Sequence, residues 1–227
     1  MIPKKIHYCW FGLKSKPEEV ITYIEGWKKI LPDYEIVEWN ESNFDVNMMP
    51  FTKEAYSKGK YAFVSDVARL WALSQEGGFY LDTDIEMIKS FDDLLEESLV
   101  IGYEHKDRIG TGVIGCTKGN VIIEGFLKTY YNKNFILNGG KQNTTPNPFL
   151  LSEFILTNNI NIKIWPMEYF CAKDYVSKRI IVTDNTYCVH HFAGSWQPKW
   201  KRILLYVWIP LTEKFPTFTN KIKHFLN

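Results

Sequence analysis

The chain has 227 residues, enough for one domain with a sizeable core. Its 45% apolar content and net charge of +1 exclude a disordered chain and give no electrostatic case for a nucleic-acid partner. Cys9, Cys116, Cys171 and Cys188 lack metal or redox spacing and read as free thiols of a reducing compartment. The opening MIPKKIHYCWFG lacks the apolar stretch of a signal peptide. The longest apolar run, Ile203–Leu211, contains a proline and falls well short of the ~20 residues of a spanning helix. The expectation is a cytoplasmic protein, soluble or peripheral to a membrane.

Ile2–Trp10 reads as an opening strand. Pro17–Leu31 follows as a helix, with proline in its first turn and Glu18 and Glu19 at its positive end. Val20, Ile24, Trp27 and Leu31 recur there at helical spacing. Tyr34–Trp39 is the second strand, and the strand–helix–strand opening points to an α/β fold with parallel pairing. Phe51–Ser57 is a short helix. Ala62–Gln75 is a longer one, stopped by Gly77-Gly78 and apolar through Val64, Val67, Leu70 and Trp71. Phe79–Leu81 is a short strand leading into Asp82 and Asp84. Leu99–Glu104 and Gly110–Cys116 read as strands, Asn120–Tyr131 and Phe149–Thr157 as helices, and Asn138–Pro148 as a loop. Ile162–Trp165 and Thr186–Phe192 are further strand candidates. No repeat or linker divides the chain, so residues 1–227 read as a single domain with 197–227 as a C-terminal helical segment.

Asp82 and Asp84 hold the chemical interest. Alternate residues of an extended chain share a face, so two carboxylates at a strand's end can converge on one cleft. They repel unless a cation joins them, and oxygen ligands favour Mg²⁺ or Mn²⁺. An ion held there can grip a diphosphate and neutralise charge on a departing nucleotide. Upstream, Asp66 and Arg69 stand three apart on one helical face, and Arg69 offers planar donors for a carboxylate or a sugar hydroxyl.

The segment Ser65–Asp84, in YAFVSDVARLWALSQEGGFYLDTD, resembles the DXD-containing glycosyltransferases of the sugar-binding-region family, which include bacterial capsule and lipopolysaccharide transferases. IPKKIHYCWFG resembles that family's opening strand, and YCVHHFAGSW its closing His-x-x-x-Ser-Trp element. The resemblance implies a GT-A architecture, a mixed, mostly parallel sheet flanked by helices with donor bound at the strand ends. It implies a retaining, metal-dependent transfer of a hexose from a nucleotide-diphosphate sugar, commonly a UDP-sugar. The acceptor would be an oligosaccharide or a lipid-linked one in surface polysaccharide synthesis. By position, Trp10 would lie against the base, and Asp66 and Arg69 would contact donor-sugar hydroxyls. Asp82 would touch ribose or sugar, Asp84 and His191 would ligate Mn²⁺ or Mg²⁺, and Ser195 and Trp196 would close over the diphosphate. His190 and His191 face opposite ways if extended, and His191 is favoured by its spacing to Ser195. Thr111 and Thr145 depart from the family pattern, on the sugar and acceptor side.

Glu104 and Asp107 lie in the part of the chain where a nucleophilic carboxylate could stand, but neither is marked by a motif, and a same-face reaction is the expectation. Other readings of D-x-D are a phosphohydrolase, which would carry it on the first strand, and a non-catalytic sugar- or nucleotide-binding protein. The C-terminal KWKRILLYVWIP and FTNKIKHFLN interleave aromatics with lysines, a pattern of peripheral contact at the inner face of a membrane.

Overall fold

The structure is a computed structural model that describes residues 1–105, 107–174 and 177–194. The expected C-terminal segment at 197–227, with its membrane-facing lysines, lies outside the described residues, as do Ser195 and Trp196.

The order of elements is β1 (Lys5–Cys9), α1 (Glu18–Ile30), β2 (Glu35–Trp39), α2 (Pro50–Ser57), α3 (Tyr61–Glu76), β3 (Gly78–Leu81), β4 (Ile85–Met87), β5 (Leu99–His105), β6 (Arg108–Cys116), α4 (Val121–Lys128), α5 (Asn147–Thr157), α6 (Met167–Phe170) and β7 (Cys188–His190). The central sheet runs β2-β1-β3-β6-β5. β1 pairs parallel with β2 and with β3, while β6 lies antiparallel to both β3 and β5. Four of its five strands therefore point one way. This is the mixed, mostly parallel sheet of the GT-A type.

Helices flank the sheet because both of its faces are apolar. On one side Phe63, Val64, Val67 and Leu70 of α3 join Phe126 of α4 and Leu151 of α5. On the other, Ile24 and Trp27 of α1 meet Ile6, Phe79, Phe91 and Phe170. α1 carries acids in its first turn and Lys28 and Lys29 in its last, matching the helix dipole. The Asn120 side chain accepts from the Ile122 and Ile123 N–H groups and so caps α4.

The turn from α3 into β3 requires glycine twice. Gly77 and Gly78 have φ of +68° and +97°, and a Cβ on Gly77 would stand 2.5 Å from the Lys118 nitrogen. His7, fully buried, braces the same turn: Trp39 donates to its Nδ1 at 3.0 Å, so its Nε2 donates to the Gly77 carbonyl at 2.8 Å. Burial lowers the His7 pKa, in keeping with a neutral ring.

Three elements differ from the sequence expectation, one of them the short α6, which was not anticipated. Ile162–Trp165 forms no strand: only Trp165 pairs, exchanging hydrogen bonds with Ile101 and Tyr103 at the edge of β5. Pro166 follows and has no N–H to continue the ladder. β4 was not anticipated. Three residues are too few to show a period, and β4 exists because it pairs antiparallel with β7 and because buried Trp27 donates to the Ile85 carbonyl at 2.8 Å. Among the described residues, no helix is long and apolar enough to cross a membrane.

Candidate active site

Asp82 leaves β3 with its N–H bonded to the Gly112 carbonyl at 2.8 Å, as though the strand continued one residue further. The chain then turns tightly, the Ile85 N–H reaching the Asp82 carbonyl at 3.1 Å. The two carboxylates are thus brought together by a turn at the carboxyl end of β3, not by the alternation of an extended strand.

The β4–β7 ladder completes the group. Ile85 lies opposite His190, which sets the His190 ring beside Asp84. His190 Nε2 is 3.3 Å from Asp84 Oδ1 and 4.0 Å from Asp82 Oδ2. One donor atom from each of Asp82, Asp84 and His190 lies within 4.8 Å of the others. The ring is held from behind: Cys171 Sγ is 3.9 Å from Nδ1, and Phe192 stacks on it at 4.1 Å.

His191 does not join this group, contrary to the sequence expectation. Consecutive strand residues point to opposite faces, and the strand that places His190 inward sends His191 outward. His191 Nε2 bonds Glu86 Oε2 at 2.8 Å, and its ring stacks on Tyr23 of α1 at 5.2 Å. Its backbone N–H still serves the site, donating to the Asp84 carbonyl at 3.0 Å. Ala193 N–H donates to Asp84 Oδ2 at 2.7 Å.

Asp66 and Arg69 form a buried pair on α3. Arg69 is 5% exposed, and its Nη2 lies 2.8 Å from Asp66 Oδ1 and 3.4 Å from Asp82 Oδ1. Nη1 donates to the Thr111 carbonyl at 2.6 Å, Nε to the Ser65 carbonyl at 3.3 Å, and the guanidinium lies over the Tyr80 ring at 4.5 Å. This set of acceptors makes the buried charge tolerable. The Tyr80 hydroxyl donates to Asp82 Oδ1 at 2.9 Å. Arg69 and Tyr80 thereby fix one oxygen of Asp82 and leave Oδ2 turned toward His190.

Trp10 follows β1 half-buried, its indole donating to the Lys14 carbonyl at 2.7 Å. No hydrogen bond or ion pair among the described residues joins it to the carboxylates.

Burial opposes ionisation of Asp84, but His190 and the Ala193 N–H outweigh it and hold the carboxyl down to about 2. Burial likewise works against a charged His190, and Asp84 overrides it, raising the imidazole well above its ordinary value. Asp66 goes the other way. Its burial outweighs Arg69 and pushes it up to about 6. The Arg69 guanidinium stays charged despite desolvation because Asp82, Tyr80 and Asp66 surround it.

The donor set of two carboxylates and an imidazole suits a hard or borderline divalent cation. Gly112 leaves it room: a Cβ there would stand 2.9 Å from His190 Cε1 and 3.1 Å from Asp82 Oδ2. Gly112 and Tyr80 escaped sequence reading as site residues, and His190 entered it only as the alternative to His191. Only the His190-His191 doublet gave a signal, and it could not choose between its members.

The comparisons with known proteins bear on this geometry. Residues 17–101, which include Asp66, Arg69, Asp82 and Asp84, match the family described as the glycosyltransferase sugar-binding region containing the DXD motif. The chain is 28% identical over 159 residues to Subversion of eukaryotic traffic protein A of Legionella pneumophila, covering 54% of this chain and 24% of that protein. It is 29% identical over 123 residues to inositol phosphoceramide mannosyltransferase 3 of Schizosaccharomyces pombe, covering 52% of this chain and 34% of that protein. The chain thus spans about a third or less of the length of these curated relatives. Among solved structures, the PaToxG glycosyltransferase superposes with a TM-score of 0.54 at 21% identity, covering 69% of this chain and 70% of that one. That likeness concerns the fold, which is of the GT-A type.

Proposed function

We propose that the chain is a metal-dependent, retaining glycosyltransferase that moves a hexose from a UDP-sugar to an oligosaccharide or lipid-linked acceptor in bacterial surface polysaccharide synthesis. The observation that carries this reading is the convergence of Asp82, Asp84 and His190 at the end of β3 beside the buried Asp66–Arg69 pair. The match of residues 17–101 supports the reaction class. The relative named for inositol phosphoceramide supports an acceptor that carries a lipid.

In this reading Asp82, Asp84 and His190 hold Mn²⁺ or Mg²⁺, which when bound supplies positive charge for a departing diphosphate. Asp66 accepts from, and Arg69 donates to, hydroxyls of the donor sugar, and Asp82 divides its oxygens between Arg69 and the metal side. Trp10 lies against the base. Ser195 and Trp196, outside the described residues, close over the diphosphate. Transfer takes place on one face of the sugar, which retains its configuration. The enzyme works in the cytoplasm, at the inner face of the membrane when the acceptor is lipid-linked.

Calorimetry of UDP binding, in Mn²⁺ and in chelator, tests the reading. The expected result is binding in Mn²⁺ that chelator abolishes. Equal affinity in both would overturn it.

A further inference from the structure

Gly110 and Gly112 are two apart on β6, in the stretch where its pairing with β5 shifts register between Ile114 opposite Ile101 and Ile109 opposite Tyr103. Gly112 faces Asp82 and His190. Gly110 faces Glu104: a Cβ on it would stand 3.1 Å from Glu104 Cβ and 3.6 Å from Oε2. Gly112 thus gives space to Asp82 and His190, and Gly110 to the neighbouring Glu104 carboxyl. Glu104, near the end of β5, is only partly exposed, and among the described residues its carboxyl makes no hydrogen bond or ion pair. A half-buried carboxyl beside the site, with no protein partner among the described residues, is open to a ligand hydroxyl.

Arg108 stands two residues before Gly110, and its guanidinium lies 3.8 Å over the ring of Phe149, which is 47% exposed. Phe149 borders an open groove of about 400 Å³ shared with Gln142, Asn143, Thr144 and Thr145. Amide and hydroxyl side chains beside an exposed aromatic ring suit a polyhydroxylated molecule.

We propose that Glu104 is a catalytic residue on the acceptor side, binding the hydroxyl that receives the sugar and taking its proton, with the acceptor lying along the groove beside Phe149. The inference rests on the glycosyltransferase reading of the neighbouring site. The acceptor oxygen forms a bond to the anomeric carbon on the face from which the diphosphate departs, and its proton passes to the Glu104 carboxylate. The bond from that carbon to the diphosphate oxygen breaks, and its electron pair leaves with the nucleotide. The environment suits proton uptake: burial raises the Glu104 pKa to about 7, against the opposing pull of His190 and Arg108, with Asp82 raising it further and His105 lowering it.

The test uses the full chain with Mn²⁺ and a panel of UDP-glucose, UDP-galactose, UDP-N-acetylglucosamine and GDP-mannose, water serving as acceptor. The donor that the wild type hydrolyses fastest is then given to Glu104→Gln and Glu104→Ala. Hydrolysis should fall by about 10²–10⁴-fold in both, while UDP binds each variant with wild-type affinity. Sodium formate should restore part of the rate in Glu104→Ala and none in Glu104→Gln, whose side chain still fills the space. Wild-type hydrolysis by Glu104→Gln would overturn the assignment alone, as would an equal loss of UDP affinity without formate rescue, which marks a structural residue. A wild type that hydrolyses none of the four donors would overturn the glycosyltransferase reading and, with it, this inference.

Discussion

Substituting Gly112 with alanine adds one methyl group to the floor beneath Asp82 and His190. The backbone does not forbid it, since Gly112 is not among the glycines with positive φ. The conflict is entirely with the site. The added Cβ would meet His190 Cε1 at 2.9 Å and Asp82 Oδ2 at 3.1 Å, where ordinary contact begins near 3.4 Å. His190 must therefore retreat by about 0.5 Å and Asp82 by about 0.3 Å. Neither moves freely. His190 is boxed in by Cys171 and Phe192, and Asp82 is tied to Arg69 and Tyr80. Overpacking of this kind costs about 1–3 kcal/mol. The stiffer unfolded chain of an alanine variant returns about 0.4–1 kcal/mol. A net loss of about 1–2 kcal/mol lowers the melting temperature by about 2–8 °C for a domain of this size. Metal sites tolerate ligand displacements of only about 0.2 Å, so the effect on binding exceeds that on stability. Mn²⁺ affinity should fall by about 10–100-fold, as it does when the supports of metal ligands are disturbed. Differential scanning fluorimetry reads the first effect and Mn²⁺ calorimetry the second. Unchanged Mn²⁺ affinity in Gly112→Ala would refute the placement of the cation above this glycine.

Four further outcomes follow from the same geometry. Asp84→Asn should keep the fold and lose transfer by at least ~10²–10³-fold, and near-wild-type turnover at saturating Mn²⁺ would remove Asp84 from the site. His190→Ala should abolish Mn²⁺-dependent UDP binding, whereas His191→Ala should leave it intact and cost at most about 1 kcal/mol through the partly exposed pair with Glu86; the reverse pattern would restore His191 as ligand. Arg69→Met should destabilise the protein by about 3–5 kcal/mol in urea unfolding, because it strands Asp66 and Asp82 beside a buried apolar chain, and a loss under 1 kcal/mol would contradict that role. If the C-terminal segment contacts the membrane, anionic liposomes should float the wild type at low salt and a variant with Lys199, Lys201, Lys221 and Lys223 changed to Gln should float less; no flotation of the wild type at all would remove that contact.

The sequence by itself determined what depends on local periodicity and on turn chemistry. α1 and α3 were legible because their apolar residues recur at helical spacing, and β3 because Gly77-Gly78 can follow a helix only as a turn. Asp66, Arg69, Asp82 and Asp84 were legible because their spacing within a short stretch forms a pattern that composition alone does not produce. Tertiary structure decided whatever depends on two distant segments meeting. β4 is three residues long and owes its existence to β7 and to the Trp27 indole. The choice of His190 over His191 depends on which of them stands opposite Ile85, a register that no local pattern records. The sequence put Arg69 on one helical face with Asp66, whereas its burial comes from the approach of the Thr111 carbonyl and the Tyr80 ring. Gly110 and Gly112 read as ordinary strand glycines until β5 and β7 supplied the side chains that need their space. Local pattern thus chose the residue types and the elements, whereas the packing of distant strands chose which side chains share the cleft, because contact energies act between neighbours in space and not between neighbours in sequence.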